Sequence, residues 1–288
     1  MRRTVFCLGV SNEIVGLASQ STKQRLILMD SPPLMTNAPP ELYSNYYATS
    51  RELEWYEATS LDKGRNILDL CLPLSPNKVL DIGAGNGSVL QRYVDGGLGK
   101  EVHAIEISES GLIELRKRLD PRFVSALPFD GIRIPYPDNS FDLAILSHVL
   151  EHVEHPRLLL HEIRRVAKHV YVEVPLECRS LRSSLRGDWE MDTTGHINYY
   201  NKDLIRRELQ TSGWAVNRIE IRRPTSVGLT FMQGRLGWVQ WAIKSSIMAV
   251  APRIAEGLFC WNCAVLCTSQ ELPPISLGSV DAHLRRGH

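Results

Sequence analysis

The chain has 288 residues, 43% of them hydrophobic, enough to bury one large core. Its 33 basic side chains nearly balance its 32 acidic ones, which removes the general electrostatic case for nucleic acid or an anionic membrane as partner. The cysteines (Cys7, Cys71, Cys178, Cys260, Cys263, Cys267) are few and irregularly spaced, and no apolar run approaches the roughly 18 residues of a spanning helix, so a cytoplasmic protein with no stable membrane insertion is expected.

Residues 1–40 lack sustained periodicity and end in the proline pairs 32–33 and 39–40, a composition that suits a poorly ordered tail. Met1-Arg2-Arg3 and the brief apolar run after it only faintly resemble a signal peptide, and Met29 is an alternative start. Tyr43, Tyr46 and Tyr47 either fold over a ligand pocket or dock the N-terminal helix on the core. Between Ser50 and Cys71 the spacing of Leu53, Tyr56, Leu61, Ile67, Leu68 and Leu70 predicts one or two amphipathic helices, with Gly64 as a break.

The stretch Lys78 to Leu90, KVLDIGAGNGSVL, reads as a strand, a glycine-rich turn and the start of a helix. That order cradles nucleotide-like ligands, because glycines permit the tight turn and the close approach of backbone. A second strand, Glu101 to Ile105, ends in Glu106; Ser108 caps a helix containing Leu112, Ile113, Leu115 and Leu119. Strands follow at 123–127, 141–146 and 169–174, the last stopped by Pro175, with a helix through Leu158, Leu159, Ile163 and Val166. Asn201 caps a helix to about Ser212, which Gly213 ends. Residues 214–221 form a sixth strand, 234–250 a Trp-containing helical stretch, and 258–267 a seventh strand. The domain therefore spans 41–270, with a frayed tail over 271–288. Such alternation makes an α/β fold whose parallel sheet is covered on both faces, with ligand groups at the carboxyl ends of the strands.

Glu106 lies about 20 positions past the turn, where a carboxylate can accept from both ribose hydroxyls of an adenosine group. Nicotinamide enzymes and other adenosine binders are equally compatible with it. The next segment, Phe129-Asp130-Gly131 through Pro135-Tyr136-Pro137-Asp138-Asn139-Ser140-Phe141-Asp142, with Ser147-His148-Val149-Leu150-Glu151-His152 behind it, separates them. Together with Asp81-x-Gly-x-Gly-x-Gly, it resembles the class I S-adenosylmethionine-dependent methyltransferases, in their small-molecule branch, over residues 40–222.

The resemblance implies a Rossmann-like, seven-stranded, mostly parallel sheet with an antiparallel last strand, and an enzyme that uses S-adenosyl-L-methionine. It implies Asp81, Gly83, Gly85, Gly87, Glu106, Ile107, Asp130, Gly131, Ser147 and His148 as cofactor-binding residues. Asp130 would accept from the exocyclic amine of adenine; the plainer alternative is a turn formed with Gly131. Thr194-Gly195-His196-Ile197-Asn198-Tyr199-Tyr200 is similar to a segment of methyltransferases from polysaccharide and natural-product clusters. A small-molecule acceptor, O-methylated on a glycan or secondary metabolite, follows, with His196 or His152 as general base. Glu173 and Glu177, flanking Pro175, border the pocket.

Two metal motifs compete with this reading. His148-x-x-Glu151-His152 matches an inverted zinc-protease signature, but His148 falls at a strand end, so the two histidines need not share a helical face. Cys260-x-x-Cys263 with Cys267 lies in an apolar strand, where buried cysteines act as small hydrophobes. No metal is expected. A non-catalytic S-adenosylmethionine-binding module is the alternative function; the Asp130 segment argues against a nicotinamide oxidoreductase. Trp238 and Trp241 are expected to face the core, with an acceptor cap, a lipid-linked acceptor or a dimer contact as alternatives. The sequence leaves the oligomeric state open.

Overall fold

The computed structural model describes residues 50–270, apart from Leu119 and residues 178–194. The tails, the three early tyrosines, Cys7, Cys178 and Thr194 lie outside the described residues. Helix α1 (Ser50–Cys71) leads into β1 (Lys78–Ile82), α2 (Ser88–Asp95), β2 (Glu101–Glu106), α3 (Glu109–Arg116), β3 (Phe123–Pro128) and β4 (Phe141–Ser147). Then come α4 (Pro156–Val166), β5 (Ala167–Leu176), α5 (Lys202–Thr211) and β6 (Trp214–Arg222). Three consecutive helices, α6 (Ser226–Gln233), α7 (Arg235–Val250) and α8 (Pro252–Leu258), precede β7 (Trp261–Ser269).

The seven strands form one sheet in the order β3-β2-β1-β4-β5-β7-β6. β7 is antiparallel to both neighbours, and all other pairings are parallel. Because both faces are covered, the central strands read as continuous apolar runs whose alternate residues serve different cores. Leu80, Ala144, Leu146, Val170 and Val172 pack under α4 and α5. Val79, Leu143, Ile145 and Tyr171 pack under α1 and α2. The order of strands reverses direction between β1 and β4, which opens the usual ligand crevice at their carboxyl ends.

Four expectations need correction. Gly64 does not break α1; the helix runs through it, and a Cβ there would meet Arg92 Cβ at 2.4 Å. The glycine serves close packing of α1 on α2. Pro175 does not stop β5, which continues to Leu176 paired with β7. β4 has ended by then, its last pair being Ser147 with Glu173, so a residue without an N–H is tolerated on the side left open. β7 begins at Trp261, because residue 258 still belongs to α8. Finally, the single helical stretch is three helices. Its approach to α6 is made through Gly237, where a Cβ would sit 2.0 Å from the Leu229 carbonyl oxygen. Trp238 is therefore turned outward and is 57% exposed rather than facing the core. Trp241 is half-buried and donates its indole N–H to the Pro224 carbonyl at 2.8 Å.

Candidate active site

At the carboxyl end of β1 the chain turns through Gly83, Gly85 and Gly87, all with positive φ of 57° to 75°. Only glycine adopts this run without strain. A Cβ on Gly83 would meet Val149 at 2.7 Å, so the turn also lies tight against the segment that follows β4. Glu106, at the end of β2, is buried and closes the turn: Oε2 accepts from Gly85 N–H at 2.7 Å and Oε1 from Ser108 N–H at 2.8 Å. Burial pushes its carboxyl up, and those backbone donors pull it back. Beside it, Ile107 is 41% exposed, an apolar side chain left at the rim of the crevice. Asp81 is buried under the turn, where its carboxylate accepts from the Tyr93 hydroxyl at 2.9 Å. Burial raises Asp81 to about 7, the Tyr93 hydroxyl opposes that, and the charge of Glu106 adds to it.

Asp130 and Gly131 follow β3. Asp130 Oδ1 accepts from Ile132 N–H at 2.8 Å and Arg133 N–H at 2.7 Å, and Gly131 has φ +84°. Asp130 therefore forms a side-chain turn with Gly131, which commits one carboxylate oxygen to the loop. The proline-containing run beyond it is fixed by Arg165 of α4, which donates to the carbonyls of Ile134 (3.0 Å) and Tyr136 (2.8 Å) and to Asp138 (2.9 Å). Asp142 accepts from Asn77 and Lys78 N–H at 2.8 and 3.0 Å, joining the starts of β4 and β1. Asp130 thus shapes the loop at the carboxyl end of β3, whereas Asp142 and Arg165 brace the opposite, amino ends of the strands.

Below the mouth of the crevice lies a buried charged cluster. β4 ends in Ser147, and His148 follows in the left-handed region at φ +60°. His148 faces Glu151 (Nδ1 to Oε1, 3.2 Å) and Glu173 (Nε2 to Oε1, 3.8 Å), both carboxylates being fully buried. Burial and Lys63 act to lower the imidazole, but the two carboxylates prevail and hold it above the ordinary histidine value. Burial acts to raise both acids, and His148 keeps them below the usual range. Burial lowers Lys63, opposed by the charges of Glu173 and Glu151. Glu173 also accepts from Tyr171 (2.6 Å), Asn66 (3.0 Å) and Asn262 (3.1 Å), which ties β5 to α1 and β7. Among the described residues, Ser147 Oγ and Glu151 Oε2 are buried without a hydrogen bond.

The structure brings the two histidines considered as bases together. His152 lies in the short 3-10 turn Leu150–His152, and His196 returns from the segment before α5, with ring centroids 4.8 Å apart at 73°. His152 Nδ1 is 3.2 Å from the Gly195 carbonyl, and His196 Nδ1 is 2.8 Å from Glu177 Oε2. Burial lowers His152; Glu151 raises it and His196 lowers it further. Asn198 secures the arrangement by donating to the carbonyls of Leu150 (3.0 Å) and Val153 (2.6 Å), while Ile197 and Asn198 N–H donate to the Glu151 carbonyl. His148 and His152 do not share a helical face, since one follows the end of a strand in the left-handed region and the other sits in a 3-10 turn.

Sequence reasoning missed Lys63, Asn66 and Asn262. A signal existed: Lys63 and Asn66 fall at helical spacing with the buried Ile67 and Leu70, so polar groups interrupt an otherwise apolar face. Cys263 and Cys267 are buried, and burial pushes each thiol up to about 12, whereas Cys260 is exposed. A cavity of about 550 Å³ lined by Asn77, Lys78, His103, Tyr136 and Phe141 lies at the amino ends of the strands, away from these groups. Among the described residues no helix is long and apolar enough to cross a membrane.

A family model described as a methyltransferase domain matches residues 56–219. The chain is 34% identical over 104 residues to a demethylmenaquinone methyltransferase of Renibacterium salmoninarum, covering 36% of this chain and 42% of that protein. It spans 34 to 42% of the length of the first such relatives. In fold it is similar to a Haloferax volcanii structure holding the Trm112 methyltransferase activator and a methyltransferase (TM-score 0.61, 14% identity, 80% of this chain and 98% of that one). It is also similar to Haemonchus contortus phosphoethanolamine N-methyltransferase 2 in complex with S-adenosyl-L-methionine (TM-score 0.57, 17% identity, 81% of this chain and 60% of that one). With the sheet order, the glycine turn and a family match over more than half its length, the chain belongs to the class I methyltransferase-domain family.

Proposed function

We propose that this protein is an S-adenosylmethionine-dependent methyltransferase that O-methylates a small-molecule acceptor, a glycan or a secondary metabolite. The observation that carries the reading is the turn at Gly83, Gly85 and Gly87 clamped by Glu106, with the His152–His196 pair at the same end of the sheet.

The residues present fit the cofactor. The turn leaves no room for a side chain at Gly83, and Glu106 stands where a ribose is held in this fold. Ile107 offers an apolar surface for a purine face, and the second oxygen of Asp130 offers an acceptor for its amine. Asp81 offers a carboxylate to the positively charged aminoacyl end, and the unpartnered Ser147 Oγ, with His148 beside it, fits the same polar portion. When bound, S-adenosylmethionine supplies a methyl group on a positively charged sulfur. This chain's part is to fix the acceptor in line with that group, which is catalysis by positioning. The lowered pKa of His152 keeps its imidazole neutral near pH 7, able to take a proton from an acceptor hydroxyl or to orient it with His196.

The quinone-methylating relative supports a small organic acceptor, and the near-neutral charge supports the same class over nucleic acid. Calorimetric titration with S-adenosylmethionine and S-adenosylhomocysteine, followed by a labelled-cofactor screen of glycans, phenols and quinols with product mass spectrometry, tests the reading. Binding near the micromolar range and one O-methylated product are expected. Absence of cofactor binding in folded protein would sink it, and binding without turnover on any acceptor would move the protein to a non-catalytic module.

A further inference from the structure

The geometry points to a divalent metal site formed by Glu151, His152 and His196, suited to a first-row ion such as Zn²⁺, Mn²⁺ or Co²⁺. Three observations meet here. One potential ligand atom from each of these residues lies within 4.8 Å of the others, although His196 is 44 positions away in the chain from His152. Each imidazole has its Nδ1 directed at an oxygen, the Gly195 carbonyl for His152 and Glu177 Oε2 for His196. A ring that donates from Nδ1 carries its lone pair on Nε2, and a carboxylate or carbonyl behind a histidine is the usual outer support of a metal-binding imidazole. The third observation is Glu151 itself. Its side chain is fully buried, Oε1 faces His148 Nδ1 at 3.2 Å, and among the described residues Oε2 is buried without a hydrogen bond.

The backbone holds these groups in place. The 195–198 segment is fastened to the 150–153 turn by the Asn198 side chain and by two N–H groups on the Glu151 carbonyl. A site so supported does not have to be assembled from mobile loops when an ion arrives. Two imidazole nitrogens with one carboxylate oxygen favour zinc and its first-row neighbours over calcium or magnesium, which prefer all-oxygen shells. Three protein ligands also leave coordination positions open. On the reading given above, an acceptor hydroxyl would take one of them, and coordination would lower the pKa of that hydroxyl. In the ion-loaded protein the two histidines then act as ligands, so the hydroxyl proton would pass to solvent water as the oxygen takes the methyl group from the sulfonium sulfur, which leaves as the neutral thioether. Only this last step rests on the proposed function; binding of the ion does not.

The full-length protein is stripped with a chelator and titrated with Zn²⁺, Mn²⁺ and Co²⁺ by calorimetry, with the visible absorption of the cobalt form as a second readout. One ion per chain is expected, with a cobalt spectrum typical of nitrogen ligation. H196A and H152A should each weaken binding at least tenfold and alter that spectrum. E177Q, which leaves all three ligands in place, should weaken binding by about 10-fold through the loss of its support to His196. H155A, at an exposed histidine outside the group, should change nothing. Thermal melts of the stripped variants identify any that fail to fold, and E177Q and H196A lie at the partly exposed edge of the site, where such failure is least expected. Absence of stoichiometric binding, or binding that persists unchanged in H196A and H152A, overturns the site. Titration of the same preparation with S-adenosylmethionine keeps the two readings apart: cofactor binding without the ion removes only this inference, and ion binding without the cofactor removes only the proposed function.

Discussion

Glu106 Oε2 accepts the Gly85 N–H at 2.7 Å, so the acid that ends the second strand braces the turn that ends the first. Its other oxygen is held by Ser108 N–H at 2.8 Å. The carboxylate thus has a structural duty beside its proposed contact with ribose. Glu106→Gln keeps one acceptor oxygen but sets an NH₂ group against a backbone N–H. It should weaken S-adenosylmethionine binding by about 1.5 kcal/mol, roughly tenfold, and lower folding stability by about 1–3 kcal/mol. Glu106→Ala should do more on both counts. Calorimetry and urea melts measure the two effects separately, and unchanged affinity in both variants would remove the ribose assignment.

Asp81 illustrates a cost accepted for function. Burial first, then the charge of Glu106, raise its carboxyl to about 7 against the ordinary 3.8, with the Tyr93 hydroxyl acting in the opposite sense. The sign follows from proton counting. Between pH 4 and 7 the folded form holds the proton more tightly than the unfolded form, so stability falls as pH rises through that window and stays low above it. Asp81→Asn keeps an oxygen for Tyr93 and has no charge to bury. The variant should be more stable than the parent at pH 8, by up to about 4 kcal/mol, and no more stable at pH 4. It should also bind S-adenosylmethionine more weakly, if Asp81 serves the positive end of the cofactor. Paired thermal melts at the two pH values check the first part, and a gain equal at both would show that Asp81 is ionised normally.

Much of this was legible in the sequence because it is carried by local rules. The order of strands and helices, the Ser108 and Asn201 caps and the positive-φ glycines are each set by residues near in the chain. What was not legible depends on tertiary packing. Gly64 reads as a break from propensity alone, and only the proximity of α2 explains it. Pro175 reads as a stop until β4 is seen to end beside it. The juxtaposition of His152 with His196 needed the return of a distant segment, which no spacing rule specifies. Trp238 misled for the opposite reason: an apolar helix suggests a core, but α7 packs through a glycine and leaves the ring outside.

The packing role of Gly64 gives a test against propensity. In an isolated helix, Gly→Ala gains about 1 kcal/mol. Here the added Cβ would lie 2.4 Å from Arg92 Cβ, on a side chain that also binds Glu57 and Ser60. Overpacking of this kind costs about 1–3 kcal/mol, so Gly64→Ala should be neutral to destabilising despite the better helix former. Chemical denaturation of the variant decides it, and a full 1 kcal/mol of stabilisation would mean that α1 and α2 separate easily.

Glu173 is where the polar layer under the site is anchored. Its carboxylate is fully buried and takes hydrogen bonds from Tyr171, Asn66 and Asn262, while His148 supplies the opposing charge. Removing one member of such a group costs more than the group as a whole contributes, because the remaining charges stay buried without compensation. Glu173→Gln has nearly the same shape, yet its NH₂ would confront donors, and His148 would lose one of its two counter-charges. A loss of about 3–5 kcal/mol is expected. Asn262→Ala removes one donor and leaves the charge balance intact, so it should cost only about 1.5–3 kcal/mol, the range for a hydrogen bond to a charged group. Urea unfolding of both variants gives the comparison. If Glu173→Gln were the milder of the two, the carboxylate would be acting as a hydrogen-bond acceptor alone, and the ion pair with His148 would contribute nothing to holding the end of β4.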